Sequence, residues 1–175
     1  MSIKVVFLDR DGVINEEVGY LHEIKEFKFI DGAIDSCKYF LSLGYRIIIV
    51  TNQSGIARGL YKEDDFHILN EWMLDRFQQE GVSILDVFFC PHGPSDYCEC
   101  RKPKPGLFIN AQERYNIDME KSWMIGDKET DIEAAINAGI SQTILVRSGH
   151  KIDERKSNSK FLAGSVDCVR KIIKE

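Results

Sequence analysis

Polar residues that could act on a phosphoryl group follow four of the apolar runs in this 175-residue chain. Asp9 and Asp11 follow the first run, Thr51 the second, Lys102 the third after a loop, and Asp127 the fourth. In an open parallel sheet, ligands bind outside the carboxyl ends of the strands. If the runs are parallel strands, carboxylates, a hydroxyl and a lysine are expected to meet at one edge of the sheet.

The oxygen atoms of this set are typical of a magnesium site. Asp9 and Asp11 lie two residues apart, so at the extended end of a strand their side chains point to the same side. Two carboxylates this close repel each other unless one is protonated or a cation lies between them. Mg²⁺ prefers a few carboxylates, water and a substrate phosphate. With Lys102 and Thr51, it would neutralise the charge on a transferring phosphoryl group.

A second group of metal ligands lies just before Lys102. Three thiols and an imidazole occur within eleven residues, namely Cys90, His92, Cys98 and Cys100. This set matches a closed tetrahedral zinc site, with no open position for catalysis. Bound zinc would order the loop at 90–100 and direct Arg101 and Lys102 toward the sheet edge, because it removes the entropy of a long flexible segment.

The apolar runs alternate with helical patterns. The runs lie at 3–8, 45–50, 84–89, 122–125 and 143–146. Helices are predicted from an Asp31 cap to Gly44, over 62–80, from Pro105 onward, from Ile132 through Ala135 and Ile136 to Gly139, and over 166–173. This alternation predicts a doubly wound α/β sandwich of Rossmann-like type with a mostly parallel sheet. The polar stretch 150–160 is expected to be a solvated loop.

Length and composition restrict the class of protein. One domain spanning 1–175 is expected, and 43% hydrophobic with 29% charged residues is typical of a globular protein. A net charge of -5 argues against nucleic-acid binding. No apolar stretch reaches the roughly 20 residues that span a bilayer, and no signal-peptide pattern begins the chain. We therefore expect a cytoplasmic monomer without a membrane or nucleic-acid partner.

The strand-end residues fall into a recognisable pattern. Asp9-x-Asp11-Gly12-Val13, Thr51 after an Ile/Val strand, Lys102, and Gly126-Asp127-x-x-x-Asp131 resemble the four motifs of the haloacid dehalogenase superfamily. The resemblance implies that Asp9 forms an aspartyl-phosphate and that Asp11 protonates the leaving oxygen and then activates water. It also implies that Thr51 and Lys102 hold the phosphoryl group.

The same resemblance implies a set of metal ligands. Asp9, Asp127 and the backbone carbonyl of Asp11 would bind Mg²⁺. Asp131 would either support water molecules on the metal or cap the following helix, and the sequence leaves both interpretations open. The spacing between the motifs leaves no room for a separate cap domain, so a capless member is expected, in which loops recognise the substrate.

A capless chain with a zinc loop resembles two groups within the superfamily, heptose-bisphosphate phosphatases and histidinol-phosphate phosphatases. The segments 19–22, 51–59, 100–103 and 126–128 resemble the heptose group. That resemblance implies hydrolysis of the 7-phosphate of a sugar bisphosphate, D-glycero-D-manno-heptose 1,7-bisphosphate, on the way to bacterial surface heptose. The substrate contacts that it implies are Glu17, Val18, Gly19, Tyr20, Thr51, Asn52, Gln53, Ser54, Arg101, Lys102 and Lys128. Glu17 departs from the shorter Asp expected at this position.

Two other functions stay open at this point. A histidinol-phosphate phosphatase would act on a cationic amine, whereas Arg58, Arg101 and Lys128 suit a second phosphate better. A phospho-accepting receiver domain of a signalling protein also uses Asp, Thr, Lys and Mg²⁺ on a doubly wound sheet. Asp11 and the cysteine loop argue against a receiver, and multiple turnover of an aryl phosphate would distinguish the two.

Overall fold

The computed structural model describes residues 2–174 and contains one six-stranded sheet between two layers of helices. The strands are β1 (Val5–Leu8), β2 (Arg46–Asn52), β3 (Asp86–Cys90), β4 (Trp123–Gly126), β5 (Gln142–Val146) and β6 (Phe161–Ala163). The helices are α1 (Ala33–Ser42), α2 (Ser54–Ala57), α3 (Glu63–Gln79), α4 (Gly106–Tyr115), α5 (Glu129–Asn137) and α6 (Val166–Val169), with 3-10 turns at Ile24–Glu26 and Glu154–Lys156.

The strand order is β3-β2-β1-β4-β5-β6, and every neighbouring pair is parallel. The chain winds outward from β1 to β3, then returns to β4 on the other side of β1. The connections therefore change direction between β1 and β4, which is the position where doubly wound sheets bind their ligands. The predicted doubly wound fold is confirmed, and its five predicted strands are present.

Alternate residues of the buried strands support the two helical layers, as expected where both faces of a sheet are covered. On one face, Val6 and Leu8 pack with α1, α3 and α6. On the other face, Val5 and Phe7 pack with α4 and α5. The apolar stripe of α3 is fully buried, as its spacing predicts: Phe66, Leu69, Met73 and Phe77.

Two local predictions were wrong. Asp31 does not cap α1, because Gly32 occupies the N-cap position with φ of 77° and no side chain caps the helix. The helix predicted over 166–173 ends at Val169. In addition, α2 and β6 were not predicted, since each is too short to show a period.

The connection from β1 to α1 covers residues 9–32, which is long for a βα loop but too short for a separate domain. Within residues 2–174 it contains loop segments and one 3-10 turn, and α2 is the sole helix between β2 and α3. The mouth of the sheet is thus bordered by loops, as the capless prediction requires. Among the described residues, no helix has the length and apolar character needed to cross a membrane.

Candidate active site

Three buried side chains form an ion network at the carboxyl end of β1. Nζ of Lys102 lies 2.9 Å from Oδ1 of Asp9 and 2.6 Å from Oδ1 of Asp131, and it donates a 2.8 Å hydrogen bond to the carbonyl of Val50. Asp9 follows β1, and its backbone N–H bonds to Ile125 of β4. The topological switch point therefore holds Asp9 directly beside the loop that carries Asp127.

Burial and charge shift the pKa values of this network. Burial, together with the charge of Asp131, raises the pKa of Asp9 well above its usual value, although Lys102 opposes the shift. Burial lowers the pKa of Lys102, but the carboxylates of Asp131 and Asp9 outweigh that effect and raise it above the ordinary value. Lys102 is therefore a permanent cation at the base of the site.

Asp131 caps α5, which is one of the two functions that the sequence left open, and it also pairs with Lys102. Its Oδ2 accepts hydrogen bonds from the backbone N–H groups of Asp127 and Lys128, at 3.2 and 3.1 Å, which caps α5. Its Oδ1 pairs with Lys102. Since both oxygens are engaged, Asp131 orients the lysine and the Asp127 loop.

Asp127 is fully buried and has one oxygen that no donor reaches. Its Oδ2 lies within hydrogen-bonding distance of the backbone N–H and the ring Nδ1 of His150. Its Oδ1 lacks a hydrogen-bond partner among the described residues. Burial, with the nearby charge of Asp131, raises its pKa to about 6. The carboxylates of Asp9, Asp127 and Asp131 lie within 4.8 Å of one another. An all-oxygen cluster with one oxygen unbonded fits a hard divalent cation such as Mg²⁺.

Asp11 is held by three neighbours rather than free in the cleft. Nη2 of Arg10 lies 3.1 Å from both Asp11 oxygens, and Asn15 Nδ2 donates to Oδ1 at 3.0 Å. Nε2 of Gln53 donates to Oδ2 at 3.2 Å. Arg10 is almost completely buried, so this pairing fixes the carboxylate at the cleft wall.

Thr51 shares a hydrogen-bond network with Asp11. Gln53 Nε2 donates to Oγ1 of Thr51 at 2.8 Å, and the hydroxyl of Tyr61 donates to Gln53 Oε1 at 2.5 Å. Burial raises the pKa of Tyr61 to about 12, so its hydroxyl stays a donor. Gln53 thus links the side chains of Asp11 and Thr51.

Two adjoining cavities open above these residues. The inner cavity, of about 240 Å³, has Asp9, Thr51 and Lys102 on its wall. The outer cavity, of about 350 Å³, is lined by Tyr20, Arg58 and other residues of the surrounding loops. The two share several lining residues, namely Asp11, Glu17, Asn52, Ser54, Arg101, Lys128 and His150. They form one cleft, with Asp9 and Lys102 at its inner end and Arg58 in its outer part.

The predicted substrate residues fall around this cleft with one exception. Val18 is 51% exposed and lines neither cavity. Asn52 uses its amide on the backbone of Lys102, at 3.2 and 3.1 Å, and so positions that lysine. The longer Glu17 bends back, with Oε1 accepting the N–H of Gly19 at 2.6 Å.

The cysteine loop leaves β3 at the same edge. Sγ of Cys100 lies 3.0 Å from Sγ of Cys90, and Nδ1 of His92 lies 3.2 and 3.5 Å from these two sulfurs. Sγ of Cys98 lies 3.9 Å from Cys90. The four donors are mutually within 4.8 Å. Soft thiolates with one imidazole in this arrangement suit Zn²⁺.

Sequence reasoning missed several residues of the site, including His150 and Arg10. His150, which was predicted to begin a solvated loop, contacts Asp127, and this part of the prediction was wrong. The rest of that stretch is largely exposed. Arg10 was not singled out, because a lone arginine beside an aspartate is common on surfaces. His150 could have been found, since it follows β5 and strand ends converge at this edge.

Known proteins resemble this chain closely. The HAD-hydrolase-like family model matches residues 99–166. A D-glycero-alpha-D-manno-heptose-1,7-bisphosphate 7-phosphatase from Photorhabdus laumondii is 45% identical, covering 98% of this chain and 97% of its own length. A D-glycero-beta-D-manno-heptose-1,7-bisphosphate 7-phosphatase from Yersinia pestis is 44% identical, with 99% and 96% covered. The crystal structure of a D,D-heptose 1.7-bisphosphate phosphatase from B. bronchiseptica, complexed with magnesium and phosphate, has a TM-score of 0.87 and 29% identity, with 97% of both chains covered.

Proposed function

This chain belongs to the haloacid dehalogenase-like hydrolases, in the family of heptose-1,7-bisphosphate 7-phosphatases, and on that premise we propose that it hydrolyses the 7-phosphate of D-glycero-D-manno-heptose 1,7-bisphosphate. The observation that carries the proposal is the inner cavity, where Asp9 and Thr51 face the same space above buried Lys102. The product is heptose 1-phosphate. Steady-state hydrolysis of this substrate, with histidinol phosphate as the competitor, tests the assignment.

Asp9 acts as the nucleophile in this scheme. Its carboxylate oxygen attacks phosphorus, the bond to the sugar oxygen breaks, and an aspartyl-phosphate results. Water then cleaves the acyl phosphate and regenerates Asp9, so one slow hydrolysis becomes two easier steps. Lys102 and the Thr51 hydroxyl stabilise the charge on the transferring group, because both adjoin the inner cavity and Lys102 keeps its proton.

Asp11 acts as the general acid and base. It donates a proton to the sugar oxygen as that oxygen leaves, then accepts a proton from the attacking water. Its contacts with Arg10, Asn15 and Gln53 hold the carboxylate at the wall that both cavities share. A fixed position at that boundary suits proton transfer to a leaving sugar.

Asp9, Asp127 and the backbone of Asp11 are proposed to hold Mg²⁺. The unbonded Oδ1 of Asp127 supports this assignment, because a buried carboxylate oxygen without a donor is otherwise unfavourable. When bound, the ion would neutralise negative charge on the phosphoryl oxygens. Asp131 is left out of the ligand set because its oxygens are already engaged.

A bisphosphate substrate fits the outer cavity. Arg58, Arg101 and Lys128 line it, and we assign them to the distal phosphate and the sugar. Nη1 of Arg101 donates a 3.3 Å hydrogen bond to the carbonyl of His92, so the cysteine loop orients the Arg101 guanidinium. A cationic amine such as histidinol phosphate would be repelled by the same residues.

Arg101→Gln and Lys128→Gln are each expected to lower kcat/KM for the heptose bisphosphate by roughly 10- to 100-fold, as expected for a lost charged hydrogen bond. Hydrolysis of a small aryl phosphate should change little, because that substrate has no distal phosphate. Lys121→Gln removes an exposed lysine paired with Asp118, remote from the cleft, and serves as the control. Equal losses on both substrates would mean that Arg101 and Lys128 act on the reacting phosphate instead.

We further propose that Cys90, His92, Cys98 and Cys100 bind a structural zinc ion. The purified protein is expected to carry about one zinc per chain and still to need added Mg²⁺, because a complete tetrahedral shell leaves no site for substrate. Cys98→Ser should reduce zinc content, lower the melting temperature and raise KM. Cys168→Ser, outside the cluster, should retain zinc. If elemental analysis finds no zinc in an active preparation, the assignment is refuted.

A further inference from the structure

His150 makes two contacts with one oxygen of a proposed metal ligand. Its backbone N–H lies 2.9 Å, and its Nδ1 2.6 Å, from Oδ2 of Asp127. The other oxygen of this carboxylate, Oδ1, is buried without a donor among residues 2–174. Two contacts with His150 therefore restrain Oδ2, while the lone pairs of Oδ1 stay available. A carboxylate restrained in this way cannot exchange its two oxygens by rotation.

The loop that carries His150 packs directly on this carboxylate. A side chain at Gly149 or at Gly12 would overlap the Asp127 carboxylate, and Gly12 has a φ of 87° that favours glycine. Ser148 Oγ donates to the carbonyl of Gly12 at 2.7 Å and joins the two loops. The Asp127 carboxylate is therefore packed against the backbone of both loops, one of which carries His150.

We propose that His150 is a positioning residue for the magnesium site, which fixes the Asp127 carboxylate with Oδ1 available as the ligand. Hydrogen bonds to those atoms of a metal-binding side chain that do not contact the metal orient the side chain and strengthen metal binding. This inference rests on the proposed magnesium site, but not on the sugar that the enzyme hydrolyses. The far ring nitrogen, Nε2, lies 3.9 Å from Glu17, so the ring also adjoins the wall that both cavities share.

His150→Ala is expected to weaken Mg²⁺ binding by about tenfold, at the lower end of the range for outer-shell partners, because the backbone N–H of residue 150 remains. Isothermal titration calorimetry of the full chain with MgCl₂, without substrate, measures this change. His150→Asn should recover most of the loss, because its Nδ2 can donate from nearly the position of the imidazole Nδ1. The histidine side chain is 38% exposed, so both variants are expected to fold.

His67→Ala is the matched control, since His67 is half exposed on α3 and pairs with Glu63. The melting temperature in Mg²⁺-free buffer distinguishes positioning from a structural role. Unchanged melting temperature with weaker Mg²⁺ binding supports the proposal. Wild-type-like Mg²⁺ affinity in His150→Ala, or a lowered metal-free melting temperature that asparagine does not rescue, would overturn it. Wild-type protein that binds Mg²⁺ yet fails on the heptose bisphosphate would reject the substrate assignment alone.

Discussion

Asp9→Asn is expected to lower kcat by at least about 10⁴-fold on every phosphate substrate, a loss of roughly 5 kcal/mol of transition-state stabilisation. A neutral amide cannot form the acyl phosphate, so the two-step route is lost. The fold should persist, because Asp131 still pairs with Lys102 and because an amide resembles the protonated form that burial of Asp9 favours. Steady-state kinetics together with circular dichroism measure both effects. Near-normal turnover would rule out Asp9 as the nucleophile.

Asp11→Asn provides the contrast within the same motif. It retains the nucleophile but loses the proton shuttle, a loss of roughly 10²- to 10⁴-fold in kcat. With a good leaving group the first step needs little acid catalysis, while cleavage of the acyl phosphate still needs the base. A phosphorylated enzyme should therefore accumulate in Asp11→Asn and be detected by mass spectrometry after acid quenching. It should be absent in Asp9→Asn.

Lys102→Met is expected to lower the free energy of unfolding by about 3–5 kcal/mol and to abolish activity. The cause is that two buried carboxylates, Asp9 and Asp131, would lose their cation. Urea unfolding in Mg²⁺-free buffer measures the change. The destabilisation should shrink as the pH falls, because Asp9, whose pKa is already raised, then takes up a proton in the folded state and needs no counter-ion.

Lys104→Met is the matched control for this prediction. Lys104 is exposed, pairs at 2.9 Å with the more exposed Glu99, and donates a 2.6 Å hydrogen bond to the carbonyl of Cys98. Exposed ion pairs contribute about 0–1 kcal/mol, so this variant should unfold almost like the wild-type protein. Similar losses in both variants would show that the effect of Lys102 does not come from its burial between two carboxylates.

The family resemblance depends on features that are local in the chain. Asp9, Thr51 and Asp127 each come at or shortly after the end of an apolar run, and such continuous runs are typical of strands buried on both faces of a parallel sheet. Parallel strands align their carboxyl ends, so the convergence of these side chains could be predicted. The spacing of Cys90 to Cys100 is equally local. The sequence alone therefore determined the fold class and the residue types that meet at the sheet edge.

The pairing of those residues depended on the tertiary structure. Whether Asp131 caps α5 or faces the active site could not be decided from the sequence, because its contact with Lys102 joins two connections on different parts of the sheet. His150 lies 23 residues beyond Asp127, in a loop whose path has no periodic pattern. The hydrogen bonds of Gln53 also depend on the tertiary structure, because its partners Thr51 and Asp11 come together only in the folded chain. Side-chain periodicity predicts which face of a strand or helix is buried, whereas loop packing determines which polar atoms are within hydrogen-bonding distance.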